Sequence, residues 1–199
     1  QNEVYGGFYE WTQNNVNPNT LSAKNPVGLI NQKNDLSSVQ RYIGNSKFSY
    51  NPKFLPDLTF NYNAGFDFSK GEGTVEVLSS SASGYFSEGS FNRYSSNKRN
   101  YLSDAYINFN NRNDSSKNYL DVTSGFSYQY WNSNSPNLPV YNQSEDSIIY
   151  PALENPFFTE NAIMSFYGRA IYNINDKYVI NATLRRDGSS RFSPEARWG

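Results

Sequence analysis

The sequence predicts an all-β chain. More narrowly, it predicts an antiparallel segment of a transmembrane β-barrel, about six to seven strands of a larger barrel, with long extracellular loops and short periplasmic turns. Three observations carry that expectation. Aromatic residues make up 17% of the 199 residues, with 17 Tyr and 14 Phe, and large rings suit pleated surfaces better than helices. Leu58 to Phe68 alternates without a break, placing Leu58, Phe60, Tyr62, Ala64, Phe66 and Phe68 against Thr59, Asn61, Asn63, Gly65 and Asp67. Such alternation needs one apolar environment and one wet one. From Tyr50 onward the connections run short, long, short, long, short, as in barrels whose turns are short on one side of the membrane and long on the other.

Composition narrows the function classes. The formal net charge is -1 with 18% charged residues, which argues against an electrostatic nucleic-acid partner. Cysteine and histidine are both absent, so thiolate and imidazole metal sites, Cys or His nucleophile pairs and the commonest general base are unavailable. The chain is therefore expected to be no enzyme and to need no cofactor. No apolar run reaches the roughly 18 residues of a membrane helix, and the mean hydropathy is -0.76; neither fact bears on a barrel, whose strands are only half apolar. Gln1 is not an initiator Met and no leader pattern follows it, so the chain is expected to be a piece of a longer one.

Taken in order, Gln1 to Thr12, with Tyr5, Phe8, Tyr9 and Trp11 around Gly6-Gly7, is expected to be the end of a strand. Asn14 to Val39 reads as a long polar loop, with turn-initiating Asn17-Pro18 and Asn25-Pro26 around the apolar patch Val27 to Ile30. Gln40 to Tyr50 sets Tyr42, Phe48 and Tyr50 against Arg41, Asn45, Lys47 and Ser49. A short turn, Asn51 to Asp57, leads into the Leu58 to Phe68 strand. Ser69 to Arg99, rich in Ser, Gly and Asn, is expected to be a long outer loop. Asn100 to Asn110 and the strand from Leu120 to Tyr130 alternate again, joined by a short turn, Asn111 to Ser116. Asn132 to Asn161, with four prolines, is the next long loop. Met164 to Ile174 is a weaker strand, turned by Asn175-Asp176 directly into the next. Tyr50, Tyr119, Tyr172 and Tyr178 fall near the short turns, and Phe68, Tyr101, Tyr128 and Tyr130 near the long loops, the positions of two aromatic girdles.

The last strand is the most distinctive. Tyr178, Ile180, Ala182 and Leu184 alternate with Asn181, Thr183 and Arg185 before Arg186-Asp187-Gly188-Ser189-Ser190-Arg191-Phe192, with Arg197-Trp198-Gly199 just after. The contiguous run from Tyr178 to Phe192 resembles a signature strand of the SusC/RagA family of TonB-dependent outer-membrane transporters. Its matching positions are Asn181, Arg185, Arg186, Asp187, Gly188, Ser189, Arg191 and Phe192. The upstream run Asn25-Pro26-Val27-Gly28-Leu29-Ile30-Asn31-Gln32 resembles another segment of that family, in the right order. The resemblance implies a multi-pass barrel in the outer membrane of a Gram-negative bacterium of the Bacteroidota, embedded in outer-membrane lipid. It also implies a SusD-like surface lipoprotein as partner, coupling to the TonB complex through a plug, and an oligosaccharide or peptide as substrate. Residues 1–199 would then be part of one barrel domain, with the plug and the remaining strands outside it.

Candidate site residues are sparse. Tyr85, Phe91, Tyr94 and Tyr141 lie in the expected outer loops, where a ring face can stack on a sugar or a peptide; packing of the loops against themselves is the alternative use. Arg185, Arg186, Asp187 and Arg191 read as a salt-bridged turn, with Gly188 free to take positive φ. Glu145, Asp146, Glu154 and Glu160 lack calcium-loop spacing and read as solvated loop charge, and nothing fixes them as a glycosidase pair. Gly71-Glu72-Gly73 lacks the Lys and helix of a phosphate loop. A soluble, secreted β-sandwich that binds carbohydrate remains the alternative to the importer.

Overall fold

In the computed structural model, residues 3–112, 116–155 and 157–199 are described. Six long strands dominate: β3 (Lys33–Tyr50), β4 (Leu58–Val77), β5 (Ser90–Asn110), β6 (Tyr119–Ser135), β9 (Phe157–Ile174) and β10 (Tyr178–Ser189). Short elements fill the gaps: β1 (Thr12–Gln13), β2 (Asn17–Pro18), α1 (Pro26–Asn31), β7 (Val140–Tyr141) and β8 (Ile148–Tyr150). The long strands form one sheet in the order β10-β9-β6-β5-β4-β3, with β7 beside β5 and β8 beside β7, and β1 pairs only with β2. Each long strand therefore lies beside its neighbour in sequence, the up-and-down order of a barrel wall.

The strands exceed the lengths expected of them. β4 continues past Phe68 to Val77 and β5 begins at Ser90, so the expected loop Ser69 to Arg99 shrinks to residues 78–89. The expected loop Asn132 to Asn161 loses its ends to β6 and β9, and contains β7 and β8. The cause lies in the sequence, because Ser-, Gly- and Asn-rich stretches carry no apolar alternation to mark them, although their backbones continue the ladder. In the expected strand end Gln1 to Thr12, residues 1 and 2 lie outside the described residues, and residues 3–11 are not strand. Glu3–Tyr5 forms a 3-10 turn and Gly6 and Gly7 take φ of +64° and +89°, breaking any ladder there. Residues 113–115 of the Asn111 to Ser116 turn lie outside the described residues.

The chain divides into two compact units. The first comprises Gln1–Gln40, Lys70–Asn97 and Asn134–Phe158, and it has an interior. Tyr5 is 1% exposed, with Ala82, Glu10, Gln32, Ser81 and Asn142 also buried. The Asn-Pro-Val-Gly-Leu-Ile-Asn-Gln run becomes α1 and its cap here. Asn25 Oδ1 accepts from the Val27 and Gly28 amides at 3.0 and 3.1 Å, Pro26 sits in the first turn where no amide is needed, and a Cβ on Gly28 would come within 3.4 Å of Phe8. Gln32, at the end of the motif, turns its buried amide to the carbonyls of Tyr5 (3.0 Å) and Ser80 (3.3 Å).

The second unit comprises Arg41–Ser69, Lys98–Ser133 and Thr159–Gly199. In β4, and at Tyr101 and Ile107 of β5, the apolar face that the alternation predicts is the more exposed one. Phe60, Tyr62 and Phe66 are 44%, 44% and 43% exposed, while Asn61 and Asn63 between them are half-buried. The polar face is withdrawn into cross-strand hydrogen bonds. Arg41 holds both oxygens of Asp67 at 2.8 and 2.9 Å, Asn63 donates to Asp104, Ser127 donates to the same carboxylate, and Asn108 reaches Asp121 and Thr123, each at 2.9 Å. On the apolar face the rings of Phe66, Phe68, Tyr101 and Tyr130 pack edge to edge or stacked, 5.1 to 5.9 Å apart. At the other end of the unit, Asn175 and Asp176 both take φ above 50°, a mirror-image turn that these two residue types tolerate better than most.

Candidate functional site

The four loop aromatics separate into two uses. Tyr85, in a 3-10 turn at Tyr85–Ser87, meets buried Tyr5 edge-on at 5.8 Å and Phe86 at 5.3 Å. It closes the first unit's interior. Burial lifts the Tyr5 phenol above its ordinary pKa, with Tyr85 and Glu10 adding to the shift, and the Tyr5 hydroxyl donates to the Val16 carbonyl at 2.8 Å.

Phe91 and Tyr141 are brought together as cross-strand partners of β5 and β7. Arg93 lies 4.7 Å over the Phe91 ring and pairs with Glu145, so one of the loop carboxylates is engaged in an ion pair. Three residues along β5 from Phe91, Tyr94 lies where a side chain on Gly73 would be, and a Cβ there would also come within 2.8 Å of the Leu36 carbonyl. The missing side chain of Gly73 makes room for the ring. Tyr94 donates to Asp35 at 3.4 Å and lines a hollow of ≈ 510 Å³ with Ser37, Ser38, Thr74, Ser95 and Leu138. A ring surrounded by hydroxyls offers one apolar face and several donors to a polar ligand.

Sequence reasoning missed the frame of this region. Gln143 accepts from the Ser79 amide at 2.7 Å and donates to Glu76 at 2.9 Å. Buried Asn142 accepts from the amides of Asp146 and Ser147 and donates to the Asp146 carboxylate at 2.6 Å. Asn142 and Ser144 together hold the Asp146 carboxyl below the usual carboxylate range. An Asx turn of this kind is signalled by Asn142 lying four residues before Asp146. Among the described residues no three His, Cys, Asp or Glu side chains gather to hold a metal ion.

The signature turn departs from expectation in one respect. Arg185 and Asp187 pair at 2.8 Å, with Arg185 also donating to Ser165 at 3.1 Å, but Gly188 is not among the residues with positive φ. Its role is steric, since a Cβ at Gly188 would press on the Trp198 ring at 2.8 Å. Trp198 bridges back to Gly188, the Ser189 amide donates to the Arg197 carbonyl at 2.9 Å, and the Gly199 amide donates to Asp187 at 3.0 Å. The motif thus returns on itself, with Arg197, Trp198 and Gly199 lying back along Asp187, Gly188 and Ser189.

An up-and-down sheet that turns its rings outward and its amides inward is a barrel wall, the inverse of a water-soluble sheet. Comparison with known proteins makes this more specific. The chain is 29% identical over 189 residues to the TonB-dependent receptor SusC of Bacteroides thetaiotaomicron, covering 92% of this chain and 18% of that protein. It is 25% identical over 187 residues to TonB-dependent receptor P3 of Formosa agariphila, covering 87% of this chain and 18% of that one. The RagAB peptide transporter superposes with a TM-score of 0.71 at 17% identity, over 87% of this chain and 20% of that chain. No protein-family model matches. The chain is thus similar to TonB-dependent receptors of the SusC and RagA kind, and it spans about a fifth of the length of these relatives.

Proposed function

We propose that this chain forms part of the barrel wall of an outer-membrane importer that takes up oligosaccharides or peptides with TonB-supplied energy. The observation that carries the reading is the exposure of Phe60, Tyr62 and Phe66 above that of their polar neighbours, because an aqueous protein would bury those rings and solvate those amides. The relatives named above are TonB-dependent receptors or a peptide transporter, which supports import over catalysis. In this reading residues 1–199 belong to one barrel domain, the plug lies elsewhere in the polypeptide, and a SusD-like lipoprotein covers the outer mouth. The short turns at 51–57 and 175–177 face the periplasm. The hollow beside Tyr94, with Phe91 on the same strand and Tyr141 paired to Phe91, contributes to the substrate path.

A soluble sandwich is not favoured. Among the described residues the only sheet besides the large one is the two-stranded ladder of β1 and β2. The test is a semi-native gel of the outer-membrane fraction, boiled and unboiled, probed with an antibody to Arg186–Gly199. A band far above 22.7 kDa that changes mobility on boiling is expected. A 22.7 kDa band in the soluble fraction would overturn the reading.

A further inference from the structure

Arg186 stands on the wrong face of its strand. Tyr178, Ile180 and Leu184 share that face and are all exposed, and the inward arginine next door, Arg185, has Asp187 as its counter-ion. Among the described residues Arg186 forms no salt bridge. It is exposed, its guanidinium lies 5.8 Å from the centre of the Trp198 ring, and Trp198 stacks in turn on Phe166 at 6.0 Å. A cation on a lipid-facing surface is costly at the bilayer centre and nearly free at the interface. Arg186 is eight residues beyond Tyr178 on a strand that starts at the Asn175-Asp176 turn. At about 3.3 Å per residue and a tilt of about 40° that is roughly 20 Å of height, against an apolar band about 25 Å tall. The guanidinium therefore reaches the far interface, where a tryptophan is also at home and the only abundant anions are lipid phosphates.

We propose that Arg186, seated on Trp198, binds a phosphate of an outer-leaflet phosphoglycolipid. A planar guanidinium with an open edge matches two phosphate oxygens, and the indole fixes the orientation of that edge by a cation–π contact. Gly188 serves the same site indirectly, since it leaves the space that Trp198 occupies. The inference rests on the barrel reading above.

The test uses the whole protein, purified from the outer membrane in mild detergent and reconstituted with lipid A, with dephosphorylated lipid A, or with phosphatidylcholine. Lipid retained after detergent washing is measured by mass spectrometry. The wild-type protein should keep lipid A and release the dephosphorylated form. Arg186→Gln should lower retention about tenfold, the loss expected for one charge-assisted hydrogen bond, and Arg186→Lys should recover part of it. Equal retention of phosphorylated and phosphate-free lipid by the wild-type protein overturns the proposal, a result that needs no variant to fold. So does unchanged retention in folded, heat-modifiable Arg186→Gln. Absence of the wild-type protein from the outer-membrane fraction defeats the barrel reading itself, and so is distinguishable from failure of the lipid site.

Discussion

The unit built from Gln1–Gln40, Lys70–Asn97 and Asn134–Phe158 closes on itself around Tyr5, Ala82 and Gln32. In the unit built from Arg41–Ser69, Lys98–Ser133 and Thr159–Gly199, the buried residues are Pro52, Ser165, Asn173 and Gly188, and among its described residues no aromatic, Leu, Ile, Val or Met side chain is buried. The two units draw on nearly the same palette of Tyr, Phe, Asn and Ser. They differ in where the apolar area goes. The first folds chain over one ring, Tyr5, while Tyr9, Trp11 and Phe86 stay exposed; the second buries no ring and leaves Tyr178, Ile180 and Leu184 outermost, so on the barrel reading proposed above its stability comes from lipid and from neighbouring strands.

The sharpest way to break that comparison is to place a charge on the second unit's outer face. Leu184 is 79% exposed, and its place along β10 puts it about 15 Å above Tyr178, near the middle of the apolar band. In water Leu184→Arg would change stability by less than about 0.5 kcal/mol. Near the bilayer midplane it should cost about 2 to 4 kcal/mol. We expect a marked loss of the heat-modifiable band from the outer-membrane fraction, and a silent substitution would show that this face meets water.

The converse test lies inside the first unit. Gln32 is 6% exposed and its amide serves two carbonyls, those of Tyr5 and Ser80. Gln32→Leu removes that donor from both, leaving the Tyr5 carbonyl with the Phe8 amide at 3.3 Å, and should cost about 1 to 3 kcal/mol. Because the unit has an interior of its own, the damage should appear as protease sensitivity near Ser79 to Ser87, with the heat-modifiable band intact. Loss of the band together with loop protection would mean that the two regions are not energetically separate.

The second unit was legible in sequence because its environment changes every residue. Period-2 alternation from Leu58 to Phe68 has one explanation in each solvent, and the aromatic count decided between them. The extensions of β4 to Val77 and of β5 back to Ser90 were not legible, because polar residues on both faces leave no periodic signal and Gly, Ser and Asn read as loop. The first unit's interior was hidden for a related reason, since it is built from a glutamine, a glutamate and an asparagine whose partners are 15 or more residues away or lie in a local Asx turn. Gly188 was assigned a flexible turn when its real neighbour, Trp198, stood ten residues on.

A smaller effect is expected at the hollow. Tyr94 contributes a ring over Gly73 and one hydroxyl contact to Asp35, and neither is needed to close a core. Tyr94→Ala should leave assembly untouched and weaken substrate binding by about 1 to 2 kcal/mol, roughly tenfold or somewhat more in Kd. Tyr85→Ala, which opens the packing on Tyr5, should instead lower stability with less effect on binding. Titration calorimetry of the purified whole protein with candidate oligosaccharides and peptides separates the two, and equal binding losses in both variants would merge the roles the structure assigns them.

The smallest effect concerns acid. Asn142 and Ser144 favour the ionised form of Asp146, so its folded pKa lies below its unfolded one. A depressed carboxyl contributes stability that is fully present above the unfolded pKa and is lost as pH falls through the folded one. The turn Asn142 to Ser147 should therefore be indifferent to pH from neutrality down to the ordinary carboxylate range and loosen only below it. Hydrogen exchange at the amides of Asp146 and Ser147, both held by Asn142, measures this directly once corrected for intrinsic acid dependence. Asp146→Asn should abolish the acid step while keeping most of the turn, because the Asn142 carbonyl oxygen still accepts both amides. Persistence of the step in that variant would assign it to another carboxylate.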